Sequence, residues 1–185
     1  MLVSLLKIGD MLSRFSLLIA LLVPCMAQAP HTPNLDVQRA AMKKLDFLVG
    51  RWSGQARVWR GAGEPKELAQ TEEATYKLDG LLLTIEGVGK AKTDSQVILQ
   101  ALGIISYDDA AGVYRMRAFN DGRWLETEVE LEQTSKHLHW GFTFGQIKTS
   151  SILQITDSGE WTEVADVIIG SEPPRKIMDL TVRRQ

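Results

Sequence analysis

The chain holds one cysteine and three histidines in 185 residues. A single thiol supports no intrachain disulfide, no Cys-based zinc site and no iron–sulfur cluster. Three imidazoles leave little material for a His-rich metal centre. A basic excess is also missing: 21 Lys and Arg stand against 23 Asp and Glu, a net charge of −2. Nucleic-acid-binding chains carry a basic surplus or stripe, so that class is excluded. There is no Gly-x-Ser-x-Gly, no P-loop and no His-Glu-x-x-His. Gly87-Val88-Gly89 opens no helix, so it is not a dinucleotide loop. No apolar run reaches the roughly 20 residues of a spanning helix. What remains is a globular composition, 44% apolar and 24% charged, too apolar for disorder.

A shorter apolar run does occur, from Ser16 to Ala27, with Arg14 before it and Ala27-Gln28-Ala29 at its end. A basic start, a short apolar core and an A-x-A site form a secretory signal peptide. The chain is therefore expected to be exported, to the periplasm or beyond, with translation starting at Met1 or Met11. Cleavage falls after Ala29, or after Ala27 because Pro30 follows Ala29. Pro24 occupies the small-residue position that a lipoprotein has before its Cys, so Cys25 is not read as a lipid anchor. The expected organisation is a signal peptide over 1–29, a linker and short helix over 30–49, and one domain over 50–185.

Asn34 or Asp36 can cap a helix over 35–48, with Leu35, Met42, Leu45 and Leu48 near one face and Gly50 beyond its end. After Gly50 the pattern alternates with period two and is cut by turn signals. It predicts strands near 52–60, 68–78, 81–88, 96–106, 113–119, 123–132, 136–144, 147–156, 161–169 and 176–184. Connections are short, which makes successive strands antiparallel neighbours. Eight to ten such strands suggest an all-β, up-and-down barrel, since closure removes exposed edges.

One hairpin can be derived residue by residue. In 113–119, Tyr114, Met116 and Ala118 form the dry face, with Arg115 and Arg117 opposite. In 123–132, Leu125, Thr127, Val129 and Leu131 are dry and Glu126, Glu128, Glu130 and Glu132 are wet. A two-residue Asp121-Gly122 turn sets Arg117 against Glu126, Arg115 against Glu128, Met116 against Thr127 and Tyr114 against Val129. A three-residue turn would mix the faces. In the following strand Leu138, Trp140, Phe142 and Phe144 are expected inside, and His137 and His139 outside as solvated histidines.

Leu48-Val49-Gly50-Arg51-Trp52 opens the first strand and Val182-Arg183-Arg184 ends the last. A Gly-x-Trp at the first strand with a late Arg resembles the calycin pattern of lipocalins and fatty-acid-binding proteins, in which the Arg packs across the Trp. Parity makes Arg184 the residue to stack on Trp52. With Leu78-Asp79-Gly80-Leu81-Leu82, Gly103, Tyr107-Asp108 and Tyr114, the chain is similar to bacterial secreted lipocalin-like proteins of unknown function. Nitrobindin-like haem barrels also begin with Gly-x-Trp but use a His on a late strand. Strands 161–169 and 176–184 contain none, so neither haem nor any other cofactor is implied.

The resulting expectation is an exported barrel that binds a small hydrophobic molecule. Tyr76, Tyr114, Met116, Trp140 and Phe142 are expected to line its interior. Glu72, placed inside with Gln70 and Gln100, would orient a polar group, with Arg60 as its counter-ion. The alternative is an envelope interaction module with a solid barrel, docking through outward Trp59 and Trp124. No nucleophile with a base beside it is visible, Ser150 and Ser151 included, so no catalytic residue is assigned.

Overall fold

The computed structural model describes residues 31–61 and 63–185. The expected signal peptide and both cleavage sites lie outside the described residues. No helix among the described residues is long and apolar enough to cross a membrane.

The order of elements is one helix and then strands. Helix α1 spans Leu35–Met42 and runs into a 3₁₀ segment, Lys43–Leu48. Asn34 is the N-cap, its side chain accepting from the Val37 N–H. The tightening to three residues per turn has a packing cause. Met42, Leu45 and Leu48 are three apart, so a 3₁₀ turn stacks them on one face, and all three are fully buried. Leu35, expected on that face, is instead exposed.

The strands are β1 (Gly50–Val58), β2 (Lys66–Lys77), β3 (Leu82–Ala91), β4 (Val97–Asp108), β5 (Val113–Asn120), β6 (Arg123–Glu132), β7 (His137–Trp140), β8 (Thr143–Phe144), β9 (Ile147–Ile155), β10 (Glu160–Ile169) and β11 (Arg175–Arg184). All pair antiparallel. The order is β10-β11-β1-β2-β3-β4-β5-β6-β7-β9, and β9 pairs back onto β10 to close a ten-stranded barrel. Strand β8 attaches to β9 outside this ring. Closure joins the first strand to the last, Trp52 facing Arg184 in register.

The β5–β6 hairpin has the register derived from its side chains: Arg117 opposite Glu126, Arg115 opposite Glu128, Met116 opposite Thr127 and Tyr114 opposite Val129. Asp121 and Gly122 both take positive φ, +51° and +74°, as a type I′ turn requires. Arg117 meets Glu126 at 2.6 Å and Arg115 meets Glu128 at 3.3 Å.

The expected strand 136–144 is interrupted. A Cβ at Gly141 would lie 2.3 Å from the Thr149 carbonyl oxygen, so the chain crosses β9 too closely for regular pairing. Phe142 N–H donates to Thr149 Oγ1, and Thr149 N–H donates to Phe142 O. Beyond this break the alternation is lost, and Phe144, expected inside, is 75% exposed.

The helix and 3₁₀ segment plug one end of the barrel. Trp52 Nε1 donates to Leu48 O at 2.9 Å, and Trp52 meets Trp161 edge to face at 5.5 Å. The Arg184 guanidinium sits 4.3 Å from the Trp52 ring and donates to the carbonyls of Phe47 and Val49. Gly50 at φ +132° is needed here: a Cβ would lie 2.6 Å from Arg184 Nη1. The Gly-x-Trp and the late Arg thus act as one latch over the barrel end.

Candidate functional site

Above Trp161 the barrel is hollow. The cavity measures about 420 Å³, within the 300–1,000 Å³ range of small-molecule sites. It exists because inward positions on one side of the barrel are small: Gly87 on β3, Ala101 and Gly103 on β4 and Ala118 on β5. Larger residues face them: Leu138 and Trp140 on β7, Leu153 on β9, Trp161 on β10 and Leu180 on β11. Asn120, Asp121 and Arg123, at the β5–β6 turn, also border it.

Two carboxyl groups border this apolar space. Glu72 lies on β2 between Trp52 and Gly87. Its Oε1 accepts from Gln70 Nε2 at 2.7 Å. Burial pushes the Glu72 carboxyl up to about 7, partly opposed by that bond. Glu163 lies on β10 between Leu153 and Leu180, both inward residues. Its carboxyl is pushed up to about 8, by burial first and by the Glu72 charge second. The nearby Trp161 indole N–H opposes this rise, although it reaches no acceptor within strict hydrogen-bond geometry. No Lys, Arg or His among the described residues pairs with either carboxyl.

Room for these side chains comes from β3. A Cβ at Gly87 would lie 2.7 Å from Glu72 Oε2, and one at Gly89 would lie 2.5 Å from Gln70 Oε1. Gly87 and Gly89 therefore leave the space that two long polar side chains occupy inside the barrel.

The residues expected from sequence separate into two groups. Glu72, Met116, Trp140 and Phe142 all line the cavity. Tyr76 and Tyr114 do not. Tyr76 Oη donates to Met42 O at 2.6 Å and approaches Asp46 Oδ1 at 2.8 Å; Tyr114 Oη donates to Ala41 O at 2.7 Å. They hold the plug, and burial pushes the Tyr114 hydroxyl up to about 12, which keeps it a neutral donor. Gln100 is exposed and pairs with Val88 on the outer face, because the inward residues of β4 are Leu99, Ala101, Gly103 and Ile105. Arg60 lies beyond the end of β1 and is exposed. Its Nη2 donates to Ile98 O at 2.6 Å and lies 3.8 Å from Asp121 Oδ2, so it is not the counter-ion of Glu72. Glu163 was missed, although the alternation Trp161, Glu163, Ala165, Val167 places it inside.

The outer face offers one further constellation. His139 Nε2 is 3.0 Å from Ser150 Oγ, and its Nδ1 is 3.4 Å from Glu130 Oε2. Ser150 thus has an imidazole beside it, contrary to the reading from sequence. The group is a cross-strand arrangement on a solvated surface. His137 lies 3.6 Å from Glu132. Among the described residues no group of three or more His, Cys, Asp or Glu is placed to hold a metal ion. Trp59 is half-buried beside Arg57, while Trp124 is 59% exposed under Arg117 at 5.0 Å.

No family model matches the chain, and no curated protein matches it. Solved structures do share its fold. Rv2717c from M. tuberculosis superposes with a TM-score of 0.53 at 13% identity, covering 78% of this chain and 97% of that one. The S-type phycobiliprotein lyase CPES from Guillardia theta superposes at 0.56 and 8% identity, covering 78% and 92%. At these identities the likeness is one of fold, and it fits a calycin-like barrel.

Proposed function

We propose that this protein is an exported carrier of a small, largely apolar molecule held inside the barrel. One observation carries the reading: the 420 Å³ cavity walled by Met116, Trp140 and Phe142. A solid barrel would have filled it, since protein interiors pack to crystal density. The phycobiliprotein lyase with this fold is consistent with a barrel that serves a small molecule. Export rests on the sequence pattern around Arg14 and Ala27-Gln28-Ala29. It is tested by sequencing the N-terminus of protein recovered from a bacterial periplasm.

Binding is tested with the neutral fluorophore N-phenyl-1-naphthylamine. The expected result is one site per chain, weakened at least about tenfold by Ala118→Trp, which fills the cavity. Equal affinity in the two proteins, or no binding to either, overturns the reading. Docking through the outer face has exposed Trp124 in its favour, but Arg117 already stacks on that ring, so this reading comes second.

A further inference from the structure

We propose that the ligand carries an ammonium group, and that Glu72 and Glu163 receive it inside the cavity while the apolar walls hold the rest of the molecule. This deepens the carrier reading and rests on it.

Geometry comes first. Two carboxyls, on β2 and β10 three strands apart around the barrel, border one apolar space. A carboxyl buried without a partner is costly, and a structural pair would normally include a cation. The nearest candidate by sequence, Arg60, is engaged at Ile98 O and near Asp121. Glu72 has one oxygen bonded to Gln70, and its other, Oε2, lies over the bare Cα of Gly87. The strand glycine thus leaves this position open for the carboxylate.

An independent observation adds to this. The Trp161 indole N–H is buried on a residue that borders the cavity, near Glu163 but without an acceptor in strict hydrogen-bond geometry. Buried donors are nearly always satisfied. Glu163 beside it can supply the acceptor, and accepts more strongly when ionised, the form a bound cation would favour. Trp161 and Trp140 border the same space, and aromatic rings attract ammonium groups. An anionic ligand would meet two carboxyls; the one cation lining the space, Arg123, stands at the β5–β6 turn together with Asp121. The class is thus a lipophilic amine.

The test is calorimetry at pH 8 with decylamine, decanol and decanoate, which differ only at the head. Decylamine is expected to bind one per chain, at least about tenfold tighter than decanol, and decanoate not at all. Glu163→Gln and Glu72→Gln, both nearly isosteric, should each reduce decylamine affinity about tenfold or more while decanol affinity holds. An unchanged decanol affinity shows that the variant is folded and its cavity intact. Decylamine no tighter than decanol, or a preference for decanoate, overturns the inference and leaves the carrier reading standing. Failure of all three probes and of the neutral fluorophore overturns both.

Discussion

Glu72 occupies the space that a side chain at Gly87 would need: a Cβ there would fall 2.7 Å from Glu72 Oε2. The glycine and the carboxyl are one feature divided between two strands. Gly87→Ala should cost about 1–3 kcal/mol by crowding the buried carboxyl. In a Glu72→Ala background the same change should be nearly neutral. Urea denaturation of the four proteins of this cycle reads the coupling, and additive effects would refute the pairing.

The two raised carboxyls predict how stability changes with pH. Below the ordinary value of 4.5 both are protonated in folded and unfolded chains, and burial carries no ionisation cost. Above it the unfolded chain releases protons that the folded chain keeps, up to about 7 for Glu72 and about 8 for Glu163. The folded state binds more protons, so stability falls as pH rises through this window and levels off above it. Asp108 and Glu160 act in the opposite sense: bonds from Arg115 and Arg183 hold their carboxyls below the ordinary values. Their contribution is present above those values and lost in acid. Denaturant midpoints should therefore peak near pH 5. The double variant Glu72→Gln, Glu163→Gln should be flatter from pH 5 to 8, and more stable than the parent at pH 8. Identical pH profiles would refute the assignment.

The latch over the barrel end predicts a different response. Arg184→Ala removes the contact with Trp52 and two bonds to the carbonyls of Phe47 and Val49. A loss of about 1–3 kcal/mol is expected. Arg184→Lys should recover only part of it, because an ammonium lacks the planar fork that reaches both carbonyls. Gly50→Ala should be at least as harmful, since it combines a positive φ with a contact on Arg184 Nη1. Thermal unfolding ranks the three, and an Arg184→Lys variant as stable as the parent would argue against the bidentate role.

The β5–β6 turn gives a fourth expectation. Gly122→Ala should cost about 1 kcal/mol through its φ of +74°. Reversing Arg117 and Glu126 together should be within about 0.5 kcal/mol of the parent, because the pair is exposed. A large loss on reversal would show that the pair does more than fix register.

This hairpin also shows why much of the fold was legible in the sequence. Arg115, Arg117 and the four glutamates of β6 mark the wet face without ambiguity, and Asp121-Gly122 fixes the turn, so a single register satisfies both. In β4 the reading fails. Ile98, Leu99, Ala101, Leu102, Ile104 and Ile105 are apolar on both faces, and Gln100 then has no clear side. Parity also gives the face of a residue but not its height along the barrel. Tyr76 and Tyr114 point inward as expected, yet they lie at the plugged end and bond to helix carbonyls. Glu163 was hidden by habit of chemistry: a glutamate in a strand reads as solvated, although its neighbours Trp161 and Ala165 are buried. Phe144 escaped because the close crossing of Gly141 over Thr149 is a tertiary constraint with no local signal.

The ring closes between the strand that begins at Gly50 and the strand that ends at Arg184, so the barrel is finished only by its last strand. Until then β1 and β10 each offer an unpaired edge, the surface that invites pairing with other chains. Contact between Trp52 and Arg184 spans nearly the whole domain, and long loops of this kind close slowly. The barrel stays open until β11 joins it. The latch between Trp52 and Arg184 cannot set before β11 is in place.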